Sequence, residues 1–266
     1  AMTKILALLM LTAAPVLAQD FPAPEMPPGL AGARLLPGWV TPEGDRMTAL
    51  EIDLLPGWKT YWRSPGDAGI PPHFDWQAAG NLGQVRMFWP RPEVIESGGE
   101  RTLGYHDRML LPIRITPAVA GQPVDPRARV DLGICLDICV PVQVSLDAGA
   151  PGAAPDPAIE AAMARVPDTS DLRPDCRITE IADGMQVTAL LPHDGRPDGD
   201  QVAMELRGGD IWVSAPEMSE SAGRVAATAD FVAATGKPFA LNPGDIRLTL
   251  IGARDAVEYQ GCTLVE

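Results

Sequence analysis

Short stretches of alternating apolar and polar residues recur along most of the chain and predict β-strands. Residues 47–54, 110–115 and 185–190 are clear examples. Turn-forming sequences rich in Gly, Pro, Asp and Ser separate the stretches, as at residues 42–45 and 97–99. Many short strands at this spacing favour antiparallel sandwiches over a parallel sheet.

The alternation is interrupted over residues 148–170, where alanine, glycine and proline dominate. Asp156 followed by Pro157 is a typical helix start and predicts one short helix in this stretch. The alternation resumes after it. We therefore predict an all-β fold of two immunoglobulin-like antiparallel β-sandwich domains, residues 31–147 and 171–266, joined by a linker with a short helix.

The first residues are typical of an export signal. Lys4 supplies a positive charge, residues 5–11 form an apolar core, and small residues precede a cleavage position after Ala18. We predict that residues 1–18 are a signal peptide and that residues 19–30 form a proline-rich tether. The apolar core is too short to span a bilayer comfortably, so we expect an exported protein without a direct membrane span.

The overall charge restricts the kind of partner. The chain has 35 acidic and 21 basic side chains, which gives a formal net charge of −14. An acidic surface repels nucleic acid and anionic lipid, so neither is expected as a partner. The 28 prolines and 26 glycines, with only 5% aromatic residues, fit turn-rich β structure.

The four cysteines divide into a close pair and a distant pair. Exported chains can carry disulfides, and four cysteines allow three pairings. Sequence separation favours Cys135 with Cys139 and Cys176 with Cys262. On one straight strand Cys135 and Cys139 would lie about 13 Å apart, too far for a bond. A turn at residues 136–138 would instead bring the two thiols together across a hairpin.

The two predicted bridges differ in what they can do for stability. Closing the short Cys135–Cys139 loop constrains the unfolded chain little, so this pair suits reversible redox chemistry better than structural support. Closing the long loop between Cys176 and Cys262 should stabilise the fold by about 4 kcal/mol. We therefore interpret the close pair as redox-active and the distant pair as structural.

Four segments of the first predicted sandwich carry a family pattern. They are Gly57-Trp58-Lys59-Thr60-Tyr61-Trp62-Arg63-Ser64-Pro65-Gly66-Asp67-Ala68-Gly69-Ile70-Pro71-Pro72, Trp89-Pro90-Arg91-Pro92, Gly104-Tyr105-His106-Asp107, and the two-cysteine segment ending in Cys139-Val140-Pro141. Together they resemble the N-terminal periplasmic domain of the DsbD and ScsB thiol:disulfide interchange proteins. The resemblance is close over roughly residues 30 to 146 and looser over the whole chain, as in the ScsB branch.

This resemblance implies a periplasmic thiol:disulfide oxidoreductase that needs no cofactor. Its Cys135–Cys139 pair would take reducing equivalents from a thioredoxin-like or membrane-embedded electron donor and pass them to oxidised periplasmic proteins. The resemblance also implies that residues near the cysteines cap and shield them. The candidates for this role are Tyr61, Trp62, Asp67 and Tyr105. Full-length members add a polytopic membrane region and a thioredoxin domain, so we expect a stand-alone form.

The residues leave two other functions open. The ScsB name refers to copper tolerance, and two thiolates could bind the soft ion Cu(I). However, the ten methionines are scattered and the three histidines show no ligand spacing, so we predict no metal site. The second alternative is a non-catalytic periplasmic scaffold with only structural disulfides. Which cysteine is attacked first is also open, although the resemblance favours Cys139.

Overall fold

The computed structural model describes residues 26–76, 79–192, 201–209, 211–221 and 224–265. The predicted signal peptide, residues 1–18, and most of the predicted tether lie outside the described residues. Within the described part of the chain, strands dominate and nearly all of them pair antiparallel, as the alternating pattern predicted. No helix in this part is both long and apolar enough to cross a membrane.

The first sandwich consists of two facing sheets. Its described strands are β1 (Leu30–Val40), β2 (Arg46–Leu54), β3 (Lys59–Tyr61), β4 (His73–Asp75), β5 (Leu82–Met87), β6 (Glu93–Ser97), β7 (Glu100–His106), β8 (Arg108–Pro117), β9 (Arg127–Cys135) and β10 (Cys139–Asp147). One sheet has the order β1-β2-β8-β5, and the other has the order β10-β9-β3-β7-β6 with β4 beside β9. Alternate residues of β9 and β8 point into the core between the sheets.

Strand β2 departs from simple alternation, because almost all of its residues are buried. Its outer face is covered by helix α1 (Pro157–Met163), whose Ile159 packs against Met47 and Ala49. The helix begins as predicted, with the Asp156 carboxylate accepting a hydrogen bond of 2.8 Å from the backbone N–H of Ala158. The predicted linker helix therefore covers part of the outer face of the first sandwich.

The second sandwich repeats the two-sheet plan. Its described strands are β11 (Asp168–Ser170), β12 (Asp175–Ile181), β13 (Gly184–Pro192), β14 (Gln201–Leu206), β15 (Ile211–Val213), β16 (Glu217–Ser221), β17 (Arg224–Ala233), β18 (Ile246–Ile251), β19 (Ala256–Gln260) and β20 (Thr263–Leu264). One sheet has the order β11-β19-β18-β14, and the other has the order β15-β17-β13-β12-β20 with β16 beside β17. Two short pairs, β11 with β19 and β12 with β20, are parallel.

The two sandwiches touch through both apolar and polar residues. Ala203, Ile251 and Ala256 of the second sandwich belong to the same buried cluster as the core of the first. Polar contacts lie around this apolar junction, and one of them joins Arg63 to Glu205. The segment between β3 and β4, residues 62–72, lies at this junction.

Candidate functional site

The close cysteine pair lies at the tip of the β9–β10 hairpin. Cys135 is the last residue of β9, Cys139 is the first of β10, and the two are directly opposite each other in the register. A disulfide joins them, with their Cα atoms 4.1 Å apart, and closes the turn formed by residues 136–138. The turn predicted from the sequence is therefore present at the predicted residues.

The two cysteines of this pair differ sharply in exposure. Cys135 is only 1% exposed, whereas Cys139 is exposed to solvent. Leu136 and Ile138 in the turn are also exposed, and Ile138 reaches 77%. An approaching thiolate therefore meets Cys139 first and finds an apolar surface around it.

Tyr61 brings a hydroxyl group to both sulfur atoms. Its oxygen lies 3.0 Å from Cys135 Sγ and 3.2 Å from Cys139 Sγ. Since a disulfide sulfur carries no hydrogen, the tyrosine O–H is the donor. Strand β3 fixes this position, because Thr60 pairs with Ile134 of β9 and donates its side-chain hydroxyl to the Gly133 carbonyl at 3.0 Å.

The Tyr61 side chain is buried, and this keeps its hydroxyl protonated. Burial raises the pKa of Tyr61, and the negative charge of Glu100 raises that pKa further. A protonated hydroxyl can donate a hydrogen bond to a sulfur that becomes negatively charged. The hairpin therefore carries a built-in donor for the thiolate that forms when the disulfide opens.

The contacts that the structure describes for the other three predicted capping residues lie away from the two sulfur atoms. Trp62 is fully buried in the core of the first sandwich. Tyr105 is buried too, and its hydroxyl donates to the Pro90 carbonyl at 2.8 Å. The Asp67 carboxylate accepts a hydrogen bond of 3.0 Å from the backbone N–H of Ala215 in the second sandwich. Among the residues that the structure describes, Tyr61 is the predicted cap residue with hydrogen bonds to the sulfurs.

Sequence reasoning missed the packing of Gly133 and Ile70 beside the disulfide. Gly133 lies on β9 two residues before Cys135. A Cβ atom at Gly133 would lie 3.1 Å from Ile70 Cβ and 3.3 Å from Tyr61 Cε2, closer than ordinary contacts. Glycine thus lets Ile70 and Tyr61 pack directly on the strand. A glycine in the interior of a strand is a signal of such close approach.

The distant cysteine pair has the opposite surroundings. Cys176 lies on β12, and Cys262 lies just before β20. A disulfide joins them across 86 positions of sequence. Both residues are buried in the core of the second sandwich. A thiol in solution has no direct path to this bridge while the sandwich is folded.

Metal ligation finds no support among the described residues. No group of three or more His, Cys, Asp or Glu side chains within them is arranged to hold an ion. His106 Nδ1 lies 2.8 Å from a carboxylate oxygen of Glu93, and His73 Nδ1 lies 3.8 Å from Asp131 Oδ2. These two described histidines thus each face a carboxylate.

Comparisons with known proteins agree with the geometry. Residues 33–151 match the family model described as the N-terminal part of the thiol:disulfide interchange protein DsbD. The N-terminal periplasmic domain of ScsB from Proteus mirabilis is a similar solved structure, with 22% sequence identity and a TM-score of 0.60. The match covers 84% of this chain and 89% of that chain, and it shows that the two share a fold.

A second solved structure is the reduced DsbD N-terminal domain of Neisseria meningitidis, at 17% identity and a TM-score of 0.30. That match covers 48% of this chain and 91% of the other. No curated protein matches the chain significantly.

Proposed function

We propose that the first sandwich of this chain, which matches the family model of DsbD N-terminal domains over residues 33–151, passes reducing equivalents between periplasmic proteins through the Cys135–Cys139 pair. The observation that carries this proposal is the arrangement at the hairpin tip. An exposed Cys139 is bonded to a buried Cys135, with the Tyr61 hydroxyl within hydrogen-bonding distance of both sulfurs. Thiol:disulfide interchange needs such an accessible sulfur, and it needs no cofactor because electrons move between sulfur atoms.

In the proposed reaction the oxidised protein first accepts electrons from a dithiol partner. A thiolate of the partner attacks Cys139 Sγ, a new sulfur–sulfur bond forms, and the Cys135–Cys139 bond breaks. The electron pair of the broken bond stays on Cys135 as a thiolate. The Tyr61 hydroxyl, 3.0 Å from Cys135 Sγ, donates a hydrogen bond to this leaving group.

A second attack completes the transfer. The second thiolate of the partner attacks the partner sulfur that is bonded to Cys139, and Cys139 leaves as a thiolate. Both cysteine thiolates take up the protons that the partner dithiol released. The net result is one disulfide formed in the partner, one disulfide reduced here, and two electrons moved. The reverse sequence transfers the same electrons to an oxidised acceptor.

The surface around the bridge fits a thioredoxin-like donor. Leu136, Ile138 and Ile70 are exposed apolar side chains near or within the hairpin turn. Exposed apolar groups beside a reactive sulfur provide a contact surface for a partner that must approach closely. We propose that residues 31–147 form the redox domain and that residues 171–266 form a second domain stabilised by the structural Cys176–Cys262 bridge.

Trapping the mixed disulfide tests this proposal. The full chain carrying Cys135→Ala retains a single exposed thiol at position 139, and the chain carrying Cys139→Ala retains a single buried one. Each variant is mixed with a thioredoxin-like protein that lacks its resolving cysteine and carries thionitrobenzoate on the remaining one. Release of the coloured thionitrobenzoate measures formation of the mixed disulfide.

We expect the Cys135→Ala variant to form the mixed disulfide at least about tenfold faster than the Cys139→Ala variant, because exposure controls access. Stable binding of the thioredoxin-like protein by both variants, without any mixed disulfide, would favour the scaffold function instead. Stoichiometric uptake of Cu(I) by the reduced native chain, lost in either variant, would favour copper carriage.

A further inference from the structure

Lys59 and Cys135 lie side by side on one face of the sheet that carries the hairpin. Lys59 of β3 is directly opposite Cys135 of β9 in the register. Directly opposite residues of an antiparallel pair point to the same face, with their Cβ atoms about 5 Å apart. Tyr61, two residues after Lys59, lies on this face as well, because its hydroxyl reaches Cys135 Sγ. A cationic residue is therefore the cross-strand neighbour of the buried cysteine.

The burial of Lys59 is unusual for a charged residue. It is only 7% exposed. Within the described part of the chain, its ammonium group makes neither an ion pair nor a side-chain hydrogen bond. Buried charges are normally paired, since taking a charge out of water costs free energy that an opposite charge offsets. Lys59 is thus able to stabilise a negative charge that forms beside it.

The carboxylates on the other side of Lys59 are engaged with different groups. His106 of β7 is opposite Lys59 in the register. Its Nδ1 lies 2.8 Å from a carboxylate oxygen of Glu93 on β6, so this carboxylate faces the histidine. The Asp107 carboxylate accepts a hydrogen bond of 3.1 Å from the backbone N–H of Gly57. The ammonium group of Lys59 therefore keeps its charge available for the cysteine side.

Other charged groups near the hairpin do not provide Cys135 with a positive charge. Asp137 in the turn and Glu100 of β7 are negative, and both are exposed, so water screens their charges. In residues 62–72, which pack on the same face, Arg63 and Asp67 contact the second sandwich instead. The lysine opposite Cys135 is therefore the described cation best placed to act on its sulfur.

We infer that Lys59 stabilises the thiolate of Cys135 and thereby makes Cys135 a better leaving group when a partner thiolate attacks Cys139. This inference rests on the proposed function and adds an electrostatic residue to it. When the partner sulfur bonds to Cys139, the Cys135–Cys139 bond breaks and its electron pair stays on Cys135. Lys59 exchanges no proton in this step and acts by its charge, because a nearby cation favours the ionised form of a thiol.

The sharpest test measures the ionisation of Cys135 in the full chain carrying Cys139→Ala. Cys135 is then the single free thiol, because Cys176 and Cys262 remain bonded to each other. The ultraviolet absorbance of the thiolate is followed against pH, and the absorbance of the chain with both Cys135→Ala and Cys139→Ala is subtracted. Adding Lys59→Met should raise the proton affinity of Cys135 about tenfold, which moves the titration midpoint up by about one pH unit. Adding Lys59→Arg instead, which keeps the charge, should leave the midpoint unchanged.

A kinetic test uses chains that keep both hairpin cysteines. Lys59→Met should slow the reduction of the Cys135–Cys139 bridge by dithiothreitol about threefold, because a thiol with higher proton affinity leaves more slowly. Lys237→Met is the matched control, since it removes the same charge from an exposed position in the second sandwich, and its rate should stay native. Native resistance of the Cys176–Cys262 bridge to dithiothreitol shows that each variant is folded.

Equal titration midpoints with and without Lys59→Met would overturn the inference. The same upward shift in Lys59→Arg would also overturn it, because the charge would then be irrelevant. If Lys59→Met does not fold, Lys59→Gln removes the same charge. If neither folds, a midpoint above about 8.5, the usual value for cysteine, in the chain with Cys139→Ala alone contradicts the inference. The titration needs no protein partner, so a failure of the proposed exchange with thioredoxin-like proteins would be recognised separately.

Discussion

The Cys135–Cys139 bridge lies at an exposed hairpin tip, whereas the Cys176–Cys262 bridge lies inside the core of the second sandwich. The first closes a turn between neighbouring strands, and the second spans 86 positions of sequence. The same covalent bond therefore has two environments in one chain. The comparison shows that the two bridges differ in loop length and in access to solvent, the two properties on which the proposed reactive and structural roles depend.

The neighbours of the two bridges extend this contrast. The first bridge has a hydroxyl donor, Tyr61, and exposed apolar side chains at Leu136 and Ile138. The second is surrounded by the buried side chains of its own core, including Phe231 and Leu248. A donor stabilises a thiolate, but an apolar core disfavours one. These surroundings support the proposal that the first bridge opens during exchange and that the second stays closed.

The largest expected difference is in the rate of reduction. Dithiothreitol added to the native protein should reduce the Cys135–Cys139 bridge at least about 10³-fold faster than the Cys176–Cys262 bridge, because the buried bridge is reached only after local unfolding. Alkylation of the freed thiols followed by mass spectrometry measures both rates in one sample. Equal rates would remove the contrast between the two sites.

The next effect concerns stability. Replacing both buried cysteines, Cys176→Ala with Cys262→Ala, should lower the free energy of unfolding by about 4 kcal/mol, because the unfolded chain regains a long free loop. The matched control, Cys135→Ala with Cys139→Ala, should lower it by only about 2 kcal/mol. Urea titration measures both changes. A larger loss from the hairpin pair than from the buried pair would contradict this assignment of roles.

A smaller effect is expected from Tyr61→Phe. The ring and its packing remain, but the donor to the Cys135 thiolate is lost, so exchange with a thioredoxin-like protein should slow by about tenfold. Because burial raises the pKa of Tyr61, the hydroxyl keeps its proton up to at least its usual pKa near 10. The ratio of native to variant rates should therefore stay constant from pH 7 to about pH 10. A ratio near one would show that the hydroxyl does not assist the leaving thiolate.

The smallest effect is expected from Ile138→Ser. Removing this exposed apolar side chain should slow exchange with the thioredoxin-like protein by about threefold and leave reduction by dithiothreitol unchanged, because only the protein partner uses the apolar contact. Leu172→Ser is the matched control, since Leu172 is a similarly exposed apolar residue far from the hairpin in sequence. The same loss in both variants would argue against a docking surface around the bridge.

Local patterns in the sequence were enough for much of the fold. Alternation of apolar and polar residues predicted the two sandwiches, and Asp156 with Pro157 predicted the start of helix α1. The four family segments predicted a DsbD-like domain, and residues 33–151 match the model of that family. Such patterns work because side-chain alternation and helix capping depend on neighbours in sequence. The turn at residues 136–138 was predictable for the same reason.

Other features depended on how distant parts of the chain pack. Tyr61 and Trp62 are adjacent aromatic residues in the same family segment, yet one reaches the sulfurs and the other fills the core. The near-complete burial of β2 also escaped prediction, because a helix more than 100 residues later covers its outer face. Sequence alone could not predict the surroundings of Tyr61 and Trp62 or the burial of β2, since each depends on which distant element packs there.

By itself the sequence determined the strand pattern, the helix start and the close cysteine pair, because each of these arises from interactions over a few residues. Only the tertiary structure decided which cysteine is exposed, which aromatic residue meets the sulfurs, and that Arg63 and Asp67 reach the second sandwich. The contacts behind these outcomes join residues as much as 195 positions apart in the sequence. They follow from the docking of two sandwiches, which no short stretch of sequence records.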